Sequence, residues 1–340
     1  MIGPEQLAAG ERAETAGDFL AAAAAYRAVT TVADESLAAE AHFRLGRVSW
    51  RQGRFTAALA AFEDSRALAA RMDDSELVAR VDNGIGAVHY ALGDYSAARQ
   101  SYSAALEGTR ELGMHGKIVM NLGVIENIQG NLEEARRQYE LARLLFEESG
   151  DDESAMLAMH NRGMVDADLR RWDEADDAFL RALALAMQHG NREMVARSLV
   201  NRSEVLIERA ALDDAIAHCD RALTIYQDVS DEVGRGEALR WRSRARRAAG
   251  RYEAAEADAT EALLIAIRCG ARLLEAESAR DLGLIRLQLG DRPGAAKELR
   301  RALALFTKLG AHRDAQELQT LLPRATPARS AARIPNDPGE

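Results

Sequence analysis

Small, apolar and polar positions recur along this chain in one fixed frame. A small residue is followed seven residues later by a Gly, then by an aromatic or Leu, an Ala, an aromatic and an Ala-Leu pair. The frame reads LGRVSWRQGRFTAALAAF from Leu45, IGAVHYALGDYSAARQSYSAAL from Ile85 and LGVIENIQGNLEEARRQYELA from Leu122. It reads RGMVDADLRRWDEADDAFLRAL from Arg162, RSEVLIERAALDDAIAHCDRAL from Arg202, RSRARRAAGRYEAAEADATEAL from Arg242 and LGLIRLQLGDRPGAAKELRRAL from Leu282. A weaker first copy, AGDFLAAAAAYRAV, starts at Ala16. The turn residue falls at Gly17, Gly53, Gly93, Gly130, Arg170, Ala210, Gly250 and Gly290, at intervals of 36, 40, 37 and then 40 throughout. A period of this size marks a stacked supersecondary unit. The pattern predicts an all-α chain of about eight helix–turn–helix repeats, because each unit leaves an apolar face that only its neighbour can cover.

The individual positions fit that reading. A turn Gly tolerates the left-handed backbone that ends a helix. Gly46, Gly86, Gly123, Gly163 and Gly283 let another helix approach closely, with Ser203 and Ser243 as the nearest substitutes. Tyr95, Trp172 and Tyr252 follow the turns, and Phe62, Tyr102, Tyr139 and Phe179 fall on the second helices. Ala58, Ala98, Ala135, Ala175, Ala215 and Ala255 are small enough for each pair to close. The segment AHRDAQELQTLL reads as a capping helix at about 311–322. Residues 1–322 are therefore expected to form a single solenoid, and 323–340, rich in Pro, Ala and Arg, a disordered tail.

The G-x-(aromatic)-x-x-A turn between two amphipathic helices resembles the tetratricopeptide repeat, from about Leu7 to Leu309. A spacing of 40 looks like the longer variety found in kinesin light chains, Pins-type adaptors and Rap-type bacterial peptide receptors. The resemblance implies a right-handed α-solenoid, or superhelix, whose first helices line a concave groove. Two departures carry expectations. The usual helix-terminating Pro is missing, so the second helices should run on further. Arg170 and Ala210 replace the turn Gly, so those two turns are expected to be tighter or less regular.

Composition narrows the function. Ala, Leu, Arg and Glu dominate, Pro numbers 6 and aromatics are 5%, a profile that favours helix. A formal net charge of −10 argues against a general nucleic-acid binder, since phosphate contacts need surplus Lys and Arg. Cys219 and Cys269 make no metal or CxxC spacing, which fits a reducing cytosol. No signal peptide and no apolar run long enough to span a membrane is visible, so the expectation is cytoplasmic, and high Ala, Arg and Gly usage suggests a bacterial source. Catalytic motifs are absent: there is no HExxH, GxSxG, P-loop or EF-hand loop. The GxG at Gly84 lies within a helix. The seven His show no ligand spacing, and Asp166 and Asp168 point to different helix faces. Neither an enzyme nor a metal or cofactor site is expected.

Candidate binding residues come from columns that repeat along the first helices. The column two residues before the small position reads Arg44, Gly84, Asn121, Asn161, Asn201, Trp241, Asp281. Its three successive Asn offer both donor and acceptor to an extended backbone. In kinesin light chain-like and Pins-like repeats Asn at this place grips target peptides, and the resemblance implies the same for Asn121, Asn161 and Asn201. The competing role is to brace neighbouring helices. A second feature is the stripe Arg240, Arg244, Arg247 and Arg251 at i, i+4, i+7 and i+11. Guanidinium groups there suit a carboxylate, a phosphate or an acidic peptide. Glu204 and Glu208 one repeat earlier, and Asp168 before that, could instead neutralise the stripe. Phe43, Trp50 and Tyr90 could add an apolar patch. The expected function is a scaffold that binds a protein or peptide, acidic or with a free carboxylate. The alternative is a signal-peptide-responsive regulator acting on a partner chain. Self-association through the end repeats is also open.

Overall fold

The computed structural model describes residues 2–325, which form helices joined by short turns. In chain order these are α1 (Ile2–Thr15), α2 (Phe19–Val29), α3 (Glu35–Arg51), α4 (Phe55–Arg71), α5 (Ser75–Ala91), α6 (Tyr95–Gly108), α7 (Leu112–Ile128), α8 (Leu132–Ser149) and α9 (Asp152–Asp168). They continue as α10 (Trp172–Gln188), α11 (Arg192–Glu208), α12 (Leu212–Asp228), α13 (Glu232–Ala248), α14 (Tyr252–Cys269), α15 (Arg272–Gln288), α16 (Arg292–Leu309) and α17 (His312–Ala325). The order is compatible with the repeats read from the sequence followed by one capping helix. The second helices α8, α14 and α16 reach 18 residues, whereas α4, α10 and α12 have 17, like the first helices after α1, and α6 has 14. Of the tail expected at 323–340, residues 326–340 lie outside the described residues, and 323–325 belong to α17, which runs through Pro323 to Ala325.

The chain divides into two compact units, 1–170 and 171–340. Within each unit a helix packs on the next one in sequence, as α3 does on α4 and α13 on α14. First helices also touch the following first helix: α3 meets α5, α5 meets α7, and α13 meets α15. The first helices therefore lie on the inner side of each stack.

Turn chemistry follows the sequence closely. Gly93 and Gly290 take φ of 78° and 83°, and the Asp after each, Asp94 and Asp291, caps the next helix by accepting from the backbone N–H three residues on. Asp18, Asp34, Asp74, Asp151, Asn191 and Asp231 cap their helices in the same way. A side-chain cap of this kind is worth about 1 kcal/mol. Arg170 and Ala210 do not make the turn less regular, contrary to expectation. Both adopt φ of 58°, within the same left-handed region as the glycines. Ala210 N–H donates to Ile207 at 3.0 Å and Ala211 N–H to Leu206 at 2.9 Å, as Gly93 and Asp94 do to Tyr90 and His89 at 3.0 and 2.9 Å. Those backbone bonds fix the conformation, and the side chain bears the strain.

The first unit holds its core where a second-helix ring enters the gap left by a small first-helix residue. A Cβ on Gly46 would stand 2.6 Å from the Phe62 ring, and one on Gly86 2.5 Å from Tyr102. Where the partner is small, the position can grow: buried Ser203 meets Cys219, whose Sγ donates to Ser203 Oγ at 3.3 Å. At the C-terminal end Ala315 and Leu318 of α17 cover Leu299 and Phe306 of α16, so the last repeat is shielded from water.

Ion pairs join successive helices. Arg66 of α4 reaches Asp82 of α5 at 2.8 Å, and Arg136 of α8 reaches the fully buried Asp166 of α9 at 2.5 Å. Glu140 accepts from Arg143 at 2.6 Å and from Arg162 at 2.7 Å. Burial alone would raise the Glu140 carboxyl, but those two guanidinium groups outweigh it and hold it down to about 2.

Two expectations follow. Replacing Ala210 with Gly removes the left-handed penalty on a Cβ, partly offset by a floppier unfolded chain. The Ala210→Gly chain should be about 0.5–1 kcal/mol more stable, read as a higher urea midpoint at unchanged m. The folded Glu140 carboxyl titrates below its ordinary 4.5, so its contribution is present above that pH and is lost as pH falls toward about 2. Glu140→Gln should be less stable than wild type at pH 7 and closer to it at pH 2.5 in paired urea melts. A constant gap at both pH values would contradict the assignment.

Candidate functional site

Two groups of side chains on the inner helices stand out, one in each unit. In the first, a cavity of about 370 Å³ opens between α3 and α5. Its position follows from Gly84. The repeat column carries side chains elsewhere, but at 84 it has none, and a Cβ there would stand 2.7 Å from Phe62. Phe43, Trp50 and Tyr90 form apolar walls, with Phe62 and Tyr102 behind them. The apolar patch expected from Phe43, Trp50 and Tyr90 is thus one lined hollow.

Asn121 of α7 also lines this cavity, and its Nδ2 donates to Oδ1 of Asn83 on α5 at 3.1 Å. Part of its hydrogen-bonding capacity is therefore used between helices. Asn161 lies half-buried on α9 in the first unit, and Asn201 half-buried on α11 in the second. Arg47, Arg51 and Arg80 complete the lining, and no lining residue is acidic. Their carboxylate partners are Glu14 and Glu40: Arg47 meets Glu14 at 2.9 Å, and Arg80 grips both oxygens of Glu40 at 3.1 and 3.2 Å. Arg80 also stacks 4.3 Å from the Phe43 ring centroid.

In the second unit the arginine stripe of α13 divides. Arg240 is 5% exposed and sits among Glu237 at 3.2 Å, Glu277 at 3.5 Å and Asp281 at 3.7 Å. Burial opposes its charge, but Glu277, Glu237 and Asp281 outweigh that and hold its proton more tightly than usual. Burial conversely pushes the Glu277 carboxyl up, against the pull of Arg240. The neutralising carboxylates come from α15, the following inner helix, and from the preceding turn of α13. Arg251 pairs outward with Asp213 at 2.7 Å.

Arg244 and Arg247 differ. Neither has a carboxylate within 4.0 Å among the described residues, and Arg247 Nε is buried without a hydrogen-bond partner. Arg244 stacks on Trp241, 4.2 Å from the ring centroid. Its pKa is pushed below the ordinary value by burial, with Asp281 opposing. Two half-buried guanidinium groups thus stand one helical turn apart with spare donors.

Asn83 and Arg80 were not singled out by the sequence columns. Asn83 sits one residue before the column position, and the signal that could have found it is the pair Asn83-Gly84 opposite Asn121 across a shortened repeat. Among the described residues no cluster of three or more His, Cys, Asp or Glu could hold a metal ion, and no helix is long and apolar enough to cross a membrane.

The chain belongs to the tetratricopeptide repeat family, whose repeat model matches residues 37–111, 117–188 and 154–228, more than half of its length. No curated protein sequence matches it. Among solved structures it is similar to the apo form of the quorum sensor NprR from B. thuringiensis, at 16% identity and a TM-score of 0.71, covering 89% of this chain and 86% of that one. It is similar to a Rap protein in complex with competence and sporulation factor, at 11% identity and a TM-score of 0.61, covering 95% and 97%. BtubC (BKLC) from P. vanneervenii matches at 21% identity and a TM-score of 0.56, covering 64% of this chain and 92% of that one. At these identities the likeness is one of fold.

Removing Arg240 leaves three carboxylates around an empty place. An Arg240→Met chain should lose about 3 kcal/mol, because breaking a buried pair strands the remaining charge. The loss should shrink as pH falls, because burial raises the Glu277 carboxyl and lets it take up a proton early; a urea series at pH 7 and 4 reads both.

Proposed function

We propose that this protein is a cytoplasmic adaptor that holds an extended, acidic segment of a partner protein, or one ending in a free carboxylate, against its inner helices. Arg244 and Arg247 receive the carboxylate. Asn161 in the first unit and Asn201 in the second are each a position for a passing backbone, while Asn121 is already bonded to Asn83. The observation that carries this reading is that Arg244 and Arg247 have no carboxylate within 4.0 Å among the described residues, while Arg240 and Arg251 of the same stripe are paired. A half-buried cation with spare donors is costly to keep unless something binds there, and a carboxylate held bidentately repays it. Arg240, already surrounded, supports the site from behind.

A pull-down from native lysate tests the reading, comparing wild type with Arg244→Ala/Arg247→Ala after circular dichroism shows both helical. A hydrogen bond to a charged group is worth about 1.5–3 kcal/mol. Binding of the captured partner's peptide should therefore fall at least about tenfold per arginine lost and weaken with added salt. A partner held equally by both chains, at all salt concentrations, would defeat the reading. Asn121→Ala/Asn161→Ala/Asn201→Ala in the same assay separates backbone contacts from bracing.

A second reading is that the bound segment is a free signal peptide and that this protein relays its presence to another chain. It is supported by the likeness in fold to a quorum sensor and to a Rap protein complexed with a factor. An unchanged radius of gyration in small-angle scattering, with a peptide that binds at Arg244 and Arg247, would remove it and keep the adaptor.

A further inference from the structure

We propose that the cavity between α3 and α5 is a separate site for a small planar aromatic monoanion, distinct from the place where a partner segment binds. Three observations point to it. The first is the lining. Phe43, Trp50 and Tyr90 supply flat apolar walls, and Trp50 is 38% exposed, so a ring can reach it. A hollow of about 370 Å³ with aromatic walls and a few converging polar groups has the size and chemistry of a small-molecule site.

The second is charge. Arg44, Arg47, Arg51 and Arg80 cluster with Glu11, Glu14 and Glu40. That leaves one positive charge over, and only arginines of this group line the cavity. Arg51 is the loosest of them: its nearest carboxylate contact is 3.7 Å, to Glu14, an oxygen that Arg47 already holds at 2.9 Å. One anionic group on the ligand, placed at Arg51, balances the surplus.

The third separates this site from an extended chain. The amide best placed to meet a backbone, Asn121, donates to Asn83 at 3.1 Å. The two amides close one side of the hollow by bonding each other. A compact ligand lying among the aromatic rings does not require that bond to break.

The probe is 2-naphthoate, with 2-naphthamide as its uncharged match, titrated into the full chain by calorimetry and by quenching of Trp50 fluorescence in a Trp172→Phe/Trp241→Phe background. Saturable binding of 2-naphthoate is expected, with the amide at least about tenfold weaker. Arg51→Gln should weaken naphthoate about tenfold and leave naphthamide unchanged. Trp50→Ala should weaken both. Both substitutions fall on partly exposed side chains, and equal melting temperatures verify that the fold is kept. Arg244→Ala/Arg247→Ala should bind naphthoate as wild type does, so failure here and failure of the adaptor reading are distinguishable. No saturable binding, equal affinity for acid and amide, or indifference to Trp50→Ala would overturn the proposal. So would displacement of naphthoate by an uncharged extended peptide, which would make the hollow part of a backbone-binding surface.

Discussion

Phe62 is held between two glycines, and much of the first unit depends on that contact. A Cβ at Gly46 would stand 2.6 Å from Cδ1 and Cε1 of its ring, and a Cβ at Gly84 2.7 Å from Cζ at its tip. The two glycines belong to successive inner helices, so one side chain sets the spacing inside a repeat and between repeats. Interiors packed to crystal density give no slack for an extra methyl group. The same trade of volume recurs sixteen residues apart along the chain. Gly86 faces Tyr102, Gly123 faces Tyr139 and Gly283 faces Leu299, while Ser203 faces Cys219. Where the second-helix residue is small, the first-helix residue regains a side chain. The hollow at Gly84 is a consequence: the glycine that admits Phe62 from one side leaves space beside it on the other.

The second organising force is the disposal of charge. The chain carries 44 Lys and Arg against 54 Asp and Glu. With acids in excess, an arginine on an inner or interhelical face finds a carboxylate unless geometry prevents it. In the first unit Arg66 and Arg136 on second helices reach acids on the next first helix, and Arg162 on a first helix reaches back to Glu140 on a second. In the second unit both directions also occur, with Arg202 and Arg242 on first helices reaching Asp176 and Asp258 on second helices at 2.5 and 2.6 Å, and Arg301 on α16 reaching Glu275 on α15 at 2.6 Å. Buried pairs of this sort add little net stability but penalise misregistered stacking, because a slipped repeat would strand a charge. Against that background an arginine with no acid beside it is informative. Arg244 rests on the Trp241 ring, and Arg247 Nε is buried without a hydrogen-bond partner.

How far the sequence could be read depends on which interactions repeat. Turn positions were legible because their cause is local: the backbone bonds that close the turn recur at Gly93 and at Ala210 alike. The cost of putting a side chain there was legible too, but not its outcome, since the bonds on either side outweigh one strained residue. The small and large positions were legible because volume has to be complementary within a repeat. Asn83 was not. The column position in its repeat is Gly84, which has no side chain, and Asn121 reaches one residue back along α5 to Asn83 instead. The fate of Arg240 was hidden for a related reason. Its candidate partners were sought one repeat earlier, at Glu204 and Glu208, whereas it pairs with Glu277 and Asp281 one repeat later. Side-chain reach along a helix stack is directional, and sequence spacing does not give the direction.

The two candidate sites show why a repeat fold can carry different chemistry in each part. The core positions of a repeat are fixed by volume, whereas the inner-face column changes from repeat to repeat, from Gly84, which packs on Phe62, through the half-buried Asn121 to the buried Trp241 and Asp281. In the first unit that freedom yields aromatic walls and a closed amide pair; in the second it yields guanidinium groups set against an indole. A residue's place in its column, together with whether its neighbours have already used its hydrogen bonds, decides whether it braces the stack or faces a ligand. Asn121 and Arg240 are braced by Asn83 and by three carboxylates, while Arg244 and Arg247 are not. That difference, and not residue type, is what separates the structural members of each column from those with binding capacity left.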